Sequence, residues 1–378
     1  MMDHKYDTAV QIKNLPTDTP VFRPLPQPRW PHPYRLDIAA VLGKETELLH
    51  EKMSFHMLGD TGSLRHSDFQ SLVANTLNDQ SNRILTENKS PAFLYHLGDI
   101  VYNHGEASAY PKQFLQPYEN YEAPIFAIPG NHDGDVNPES PVPYKSLEPF
   151  MEVFCGAERR TIEFGQGSKR QSMMQPNVYW TLETPLARFI GLYSNIPKHG
   201  WIGEEQREWF VEELRYAKQH AAEQAVIVCI HHAPFSADTN HGSSKPMIDF
   251  LEEAFIAADI KPDLVVSGHV HNYQRFSRIY ADGATVPFVV AGAGGYSILH
   301  SVAEINDPWF EKLPVENGEV KLEAFCEDQY GFLKMAVEKT PAGLILSGEY
   351  YTIPQDAIGK KKVEPELYER FEFRLSRL

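Results

Sequence analysis

Apolar positions along this chain gather in short runs separated by polar stretches with helical spacing. Phe55–Leu58, Ala92–Leu97, Pro124–Ile128, Ala225–Ile230 and Leu264–Val266 are too short for typical helices and read as strands. Between them, Ser67–Leu85 places Phe69, Leu72, Val73, Leu77 and Ile84 near helical spacing after a Ser/Asp start. Glu204–His220, with Trp209, Phe210, Leu214 and Ala217, and Met247–Phe255 repeat that pattern. Alternation of strand and helix predicts an α/β layered fold. Val178–Leu182 reads as a further strand. Phe288–Gly295, Gly331–Val337 and Leu344–Tyr351 are expected to form a second sheet face to face with the first. Gln166–Gln175 reads as a mobile insertion, and the charged tail Lys360–Leu378 as a peripheral helix. Pro-rich Leu15–Pro33 cannot form regular helix and suits an extended lead-in on the surface. The expected organisation is a lead-in over 1–34, a catalytic domain over 35–352, and a tail over 353–378 packed on that domain.

Composition narrows the class. Of 378 residues, 42% are hydrophobic and 23% charged, so a large core is available and disorder or collagen-like structure is excluded. The formal charge of -16 makes the average surface repel nucleic acid and anionic lipid, and neither is an expected partner. A phosphate-bearing substrate must therefore meet a local positive centre. Three widely spaced cysteines form neither a disulfide framework nor a thiolate zinc site, and a reducing compartment is expected. The first residues lack the apolar core of a signal peptide and no apolar run is long enough to span a membrane, so the expected location is cytoplasmic.

The chemistry lies at the ends of the strands. Gly59-Asp60-Thr61-Gly62 follows the first run, Gly98-Asp99-Ile100-Val101-Tyr102 the second, and Gly130-Asn131-His132-Asp133 the third. His231-His232 and Gly268-His269-Val270-His271 follow the fourth and fifth. Ligands of open α/β sheets bind outside the carboxyl ends of the strands, so these groups are placed to converge on one crevice. Carboxylates, imidazoles, a phenol and a carboxamide without thiolates suit Fe, Mn or Zn. Asp60, Asp99, Asn131, His231, His269 and His271 overfill one four-coordinate ion but serve two that share a carboxylate. That donor set points to a two-metal phosphoester hydrolase.

The series GD, GD, GNHD, His after an apolar strand, then GHVH resembles the calcineurin-like metallophosphoesterases over about Phe55 to Arg275. The resemblance implies a four-layer α/β/β/α sandwich of two mixed β-sheets flanked by helices. In that superfamily the first motif is usually Asp-x-His, whereas this chain has Gly62 at the third position. With Tyr102 three residues after Asp99, the set is most similar to purple acid phosphatases, in which a tyrosinate binds ferric ion. The resemblance implies Asp60, Asp99, Tyr102 and His271 on a first metal, and Asp99, Asn131, His231 and His269 on a second, with Asp99 bridging. It implies Fe at the Tyr102 site and Fe, Zn or Mn at the other. His132 and His241 take the roles of substrate-contacting groups, His241 by loop spacing alone. The implied activity is a phosphomonoesterase acting through metal-activated hydroxide on a small phosphorylated substrate. The alternative is a phosphodiesterase or nucleotide hydrolase with the same centre. The chain departs from the resemblance in its start, in Asp133 where Glu is frequent, and in lacking room for an extra N-terminal β-domain.

Other polar features have plainer readings. A lone Gly-Asp is usually a turn, and only the series makes it a site. His232 should point away from its neighbour's target, His104 lies within reach of a substrate, and Cys229 reads as a small buried hydrophobe. Gly292–Gly295 lacks the Lys-Ser/Thr of a phosphate loop and reads as a close-packed turn beside the site. Lys360–Lys362 reads as solvated. Asn103–Tyr110, Gln166–Gln175, Lys198–Trp201 and Asp238–Ser244 are the loops expected to shape the pocket. A binding module that keeps the fold without catalysis is the competing class.

Overall fold

The computed structural model of the chain describes residues 22–63, 68–82, 90–303, 318–360 and 363–375. Its strands in chain order are β1 (Arg35–Asp37), β2 (Lys52–Leu58), β3 (Leu94–His96), β4 (Ile125–Ala127), β5 (Trp180–Glu183), β6 (Ala187–Leu192) and β7 (Ala225–Ile230). They continue as β8 (Leu264–Ser267), β9 (Tyr273–Tyr280), β10 (Thr285–Ala291), β11 (Gly318–Cys326), β12 (Gly331–Thr340), β13 (Gly343–Thr352) and β14 (Glu366–Leu375). The helices are α1 (Ala39–Leu42), α2 (Asp68–Asn82), α3 (Asn131–Gly134), α4 (Glu148–Phe154), α5 (Glu204–His220) and α6 (Lys245–Ala258).

Two mixed sheets result, with orders β14-β13-β12-β2-β3-β4 and β1-β5-β6-β7-β8-β10-β9-β11. Side-chain alternation along the strands sets the layers. On β2, Phe55 faces the eight-stranded sheet, its ring centroid 4.9 Å from that of Phe189 on β6. Its neighbour His56 faces the other way and meets Gln80 of α2 at 3.1 Å. On β5, Trp180 stacks on Tyr95 of β3 across the interface, whereas Thr181 turns outward and donates to Glu213 of α5. Aromatic side chains thus fill the space between the sheets, helices cover the outer faces, and the four-layer α/β/β/α arrangement stands.

Helix α5 turns Trp209, Phe210, Leu214 and Ala217 inward at 3-to-4-residue spacing. Glu204 and Glu205 lie in its first turn, Lys218 and His220 in its last, matching the helix dipole at both ends. Helix α6 starts at Ser244, whose hydroxyl accepts from the Met247 amide at 3.3 Å.

Three expectations need correction. Phe288–Gly295 does not share a sheet with Gly331–Val337 and Leu344–Tyr351. β10 lies beside β8 in the eight-stranded sheet, while β12 and β13 extend the sheet of β2, β3 and β4, because the chain crosses between layers after β11. The tail forms a strand, β14, antiparallel to β13. Its charge density suggested a helix, but Leu367, Phe371, Phe373 and Leu375 recur with a period of two. The third correction concerns Gln166–Gln175, which is anchored. The Gln175 carboxamide accepts from the Ala127 amide at 2.6 Å and donates to the Ala127 carbonyl at 2.8 Å, both buried.

Of the lead-in, the described part starts at residue 22. Its extended backbone donates from Arg29 and Trp30 to the Pro176 carbonyl. The rest of Leu15–Pro33, like Lys361 and Lys362, lies outside the described residues. Cys155, Cys229 and Cys326 are buried thiols without disulfide partners. No helix among the described residues is long and apolar enough to cross a membrane.

Candidate metal centre

Parallel strands β2 and β3 stop just short of Asp60 and Asp99, β4 leads to Asn131 at the start of α3, and β7 and β8 end before His231 and the His269–His271 pair. The two sheets therefore present their carboxyl ends to a single seam. Close approach of the turns depends on glycine. Gly98 has φ +97°, and a Cβ there would lie 2.5 Å from the Gly130 nitrogen and 2.7 Å from His231 Nδ1. Three of the converging residues are themselves left-handed: Asp60 at φ 58°, Asp99 at 53° and His269 at 68°. Such backbone costs roughly 1–3 kcal/mol per residue and persists where surrounding structure imposes it.

Seven expected ligands meet in this seam. Tyr102 Oη lies 2.9 Å from Asp99 Oδ2, 3.2 Å from Asp60 Oδ1 and 3.3 Å from His271 Nε2. Asn131 Oδ1 lies 3.1 Å from His231 Nε2 and 3.1 Å from His269 Nδ1. His231 Nε2 is 3.4 Å from Asp99 Oδ2, and His271 Nε2 is 3.6 Å from Asp60 Oδ1. Asp99, His231 and His269 each bring a ligand atom within 4.8 Å of the others.

Hydrogen bonding at the far side of two rings fixes what their near nitrogens offer. His231 Nδ1 sits 2.8 Å from the Leu97 carbonyl and His271 Nδ1 sits 3.0 Å from the Ile298 carbonyl. A carbonyl only accepts, so Nδ1 carries the proton, and a neutral ring then aims an Nε2 lone pair into the seam. Those lone pairs meet carboxylate and carboxamide oxygens, which also only accept. Tyr102 can donate one proton among its three neighbours. The basin is short of positive charge, which is the condition that bound cations satisfy, and its N/O donor set fits Fe, Zn or Mn.

The electrostatics show the same deficit. Burial, with Asp99 nearby, pushes the Asp60 carboxyl well above its ordinary range. Burial opposes ionisation of Asp99, yet adjacent His231 and His132 hold it well below that range. Burial lowers the His231 imidazole, but Asp99 outweighs it and raises the ring to about 9. Without metal, a proton on His231 thus stands in for a cation. Burial and the two carboxylates drive the Tyr102 phenol well above 10, so a tyrosinate needs a cation beside it.

A family model described as calcineurin-like phosphoesterase matches residues 53–273. This chain belongs to the calcineurin-like phosphoesterases. Among curated relatives, it is 26% identical over 286 residues to "Probable inactive purple acid phosphatase 27" of Arabidopsis thaliana, covering 70% of this chain and 44% of that protein. It is 24% identical over 212 residues to "Purple acid phosphatase 15" of the same plant, covering 54% and 36%. The chain spans less than half the length of these relatives. A solved structure titled "GAP50 the anchor in the inner membrane complex of Plasmodium" matches with TM-score 0.53 at 15% identity, over 86% of this chain and 90% of that one. That likeness concerns the fold.

Within this calcineurin-like phosphoesterase, the Gly62 position leaves no room for a histidine. A Cβ there would lie 2.6 Å from Gln113 Oε1 and 2.6 Å from the Ile100 carbonyl oxygen. Tyr102 occupies the neighbouring volume instead, its amide donating to Gln113 Oε1 at 2.9 Å.

His132 and His241 both line a cavity of about 400 Å³ over the seam, together with Asp135, Lys198, Tyr296 and Ile298. His132 Nδ1 is held 2.6 Å from the Asn103 carbonyl, so its Nε2 is the nitrogen left for chemistry. His232 turns away and bonds Ser194 Oγ at 2.6 Å, behind His269. His104 pairs with Asp135 at 3.0 Å and is not among the lining residues. Gly292 packs against Asp60 as a tight turn, its place too close for a Cβ. The loop prediction needs correction: Lys198, Asn240 and His241 reach the cavity, but no residue of Asn103–Tyr110 or Gln166–Gln175 does, the latter being pinned to Ala127.

The sequence reading missed two kinds of group. Asp133 appeared only as a departure from Glu. It accepts from the Ile100, Val101 and Gly130 amides at 3.0, 3.2 and 2.8 Å, tying the second motif to the third. Its place inside the GNHD string was the available signal. Asp238 and His300 carried no local signal, because the turn that holds them pairs residues 62 apart, Thr239 with Ser301.

Proposed function

We propose that this chain is a binuclear metal-dependent phosphoesterase of the purple acid phosphatase kind, preferring phosphomonoesters. The observation that carries the reading is Tyr102 Oη within 3.3 Å of Asp60, Asp99 and His271, in a chain whose Gly62 excludes the usual histidine. Asp60, Asp99, Tyr102 and His271 would hold one ion, iron. Asp99, Asn131, His231 and His269 would hold the other, Fe, Zn or Mn. Two ions so held supply acidified water and positive charge opposite the phosphoryl oxygens.

The chain's own residues do the rest. Asp99 is shared, fixing the two ions relative to each other. His132 presents Nε2 at the cavity and there holds a proton for the leaving oxygen, with the Asn103 carbonyl keeping the ring in place. His241 also lines the cavity and contacts the substrate. The cavity volume suits a small ester, and Lys198 at its wall adds the cation that the acidic surface lacks.

Turnover of p-nitrophenyl phosphate by the metal-loaded chain, absent in Asp99→Ala, is the expected result. Faster turnover of bis-p-nitrophenyl phosphate would favour the phosphodiesterase alternative. The names of some relatives, "probable inactive" purple acid phosphatases, favour a second reading, a metal-binding scaffold without turnover. A chain that binds two ions and cleaves neither ester with Fe, Zn or Mn would establish that one instead.

A further inference from the structure

A second group of metal-competent side chains stands beside the seam. Asp238, His241 and His300 each bring a ligand atom within 4.8 Å of the others, and none of Asp60, Asp99, Tyr102 or Asn131 belongs to the group. Asp238 is fully buried and His300 is 8% exposed. Asp238 Oδ1 accepts from the Asn240 amide at 3.0 Å and Oδ2 from the His241 amide at 2.6 Å, so the carboxylate is fixed by its own loop. His300 Nδ1 lies 3.6 Å from Asp238 Oδ2, a separation that suits two ligands of one ion better than a hydrogen bond.

The His300 ring is held between two amides: the His271 amide donates toward Nδ1 at 3.4 Å, and the Asn240 Nδ2 lies 3.1 Å from Nε2. A buried carboxylate and two imidazoles thus bring their donor atoms around one point. One carboxylate and two imidazoles, with Asn240, His241 and His300 open to the cavity, make a three-ligand site that keeps positions for water.

We propose that Asp238, His241 and His300 form a third site for a divalent cation of the zinc type, at the rim of the cavity and separate from the two ions of the seam. An ion there adds positive charge at the cavity wall that carries Asn240, His241 and His300. With this site filled, His241 acts as a ligand, and His132 remains as the proton donor.

The test counts metal in the full chain after loading with zinc and desalting, by elemental analysis against protein concentration. About three ions per chain are expected in the unmodified protein, and about two in Asp238→Asn and in His300→Gln, the loss of one ligand emptying a three-ligand site. Circular dichroism and the unfolding temperature establish that each variant is folded. Should either fail to fold, the other and the unmodified count decide. Two ions or fewer in the unmodified chain, or a third that persists in both folded variants, overturns the proposal. Asp99→Asn separates this site from the seam: ions lost there but not from Asp238→Asn support the phosphatase reading alone. Ions lost from Asp238→Asn but not from Asp99→Asn support the new site alone.

Discussion

The two sheets contribute different chemistry to the seam. From the six-stranded sheet and its following turns come only oxygens: Asp60, Asp99, Tyr102 and Asn131. From the eight-stranded sheet come only imidazoles: His231, His269 and His271. On the oxygen side, Asp60 and Asp99 are buried and left-handed. On the nitrogen side, two rings are set by single backbone carbonyls behind them. The difference puts carboxylates on one side of the seam and imidazoles on the other, so ions held as proposed would join the two sheets.

The largest effect should come from removing the shared oxygen. Asp99→Ala is expected to lower kcat/KM by at least about a thousandfold, the upper range for loss of one charge-stabilising group, as read from p-nitrophenyl phosphate kinetics. Chelation should match that loss and also lower the unfolding temperature, because ions that bind only the folded chain stabilise it. Unchanged stability after stripping would show that the sheets meet equally well without ions. Asp133→Asn should weaken metal affinity or activity about 10- to 100-fold, since Asp133 lies outside the proposed ligand set and ties two oxygen-bearing turns together. The equivalent change on the nitrogen side has no single residue to target.

Smaller effects probe the packing under the oxygen side. Gly62→Ala should destabilise by about 1–3 kcal/mol, the overpacking range, because the Gln113 side chain and the Ile100 carbonyl oxygen must move; chemical denaturation measures it. The oxygen sheet also buries His56 and His96, each held down to about 3 by burial. In the unfolded chain both titrate near 6.5. Between those values the unfolded state binds protons that the folded state refuses, so stability is full above pH 6.5 and falls as pH drops toward 3. The slope is about 1.4 kcal/mol per pH unit for each histidine, and His56→Gln should remove one share. A slope unchanged in that variant would mean that His56 charges in place.

The residues that converge on the seam were legible because each sits in a short string directly after an apolar run. Asp60, Asp99, Asn131, His231 and His269 needed only strand ends and the carboxyl-end rule, and Tyr102 needed the absence of a side chain at Gly62. What the sequence did not show was pairing between distant segments. The placement of β10 against β8 rather than β12 depends on where the chain crosses layers. β14 joins β13 through a period of two that its charges obscure, with Phe371 over Gly348. There, Glu369 accepts from Tyr273 and Arg275 of the other sheet, a contact between residues more than ninety positions apart. Asp238 and His300 meet for the same non-local reason.

The left-handed backbone at Asp60, Asp99 and His269 has a consequence for the stability of the seam. Three of the seven proposed ligands sit in backbone that the bare polypeptide disfavours. Glycine at those positions would relieve the strain but would also remove donors for ions that stabilise the folded chain, so the two effects oppose each other. Backbone strain in this seam is therefore tolerable only while the packing around it, or an ion within it, compensates.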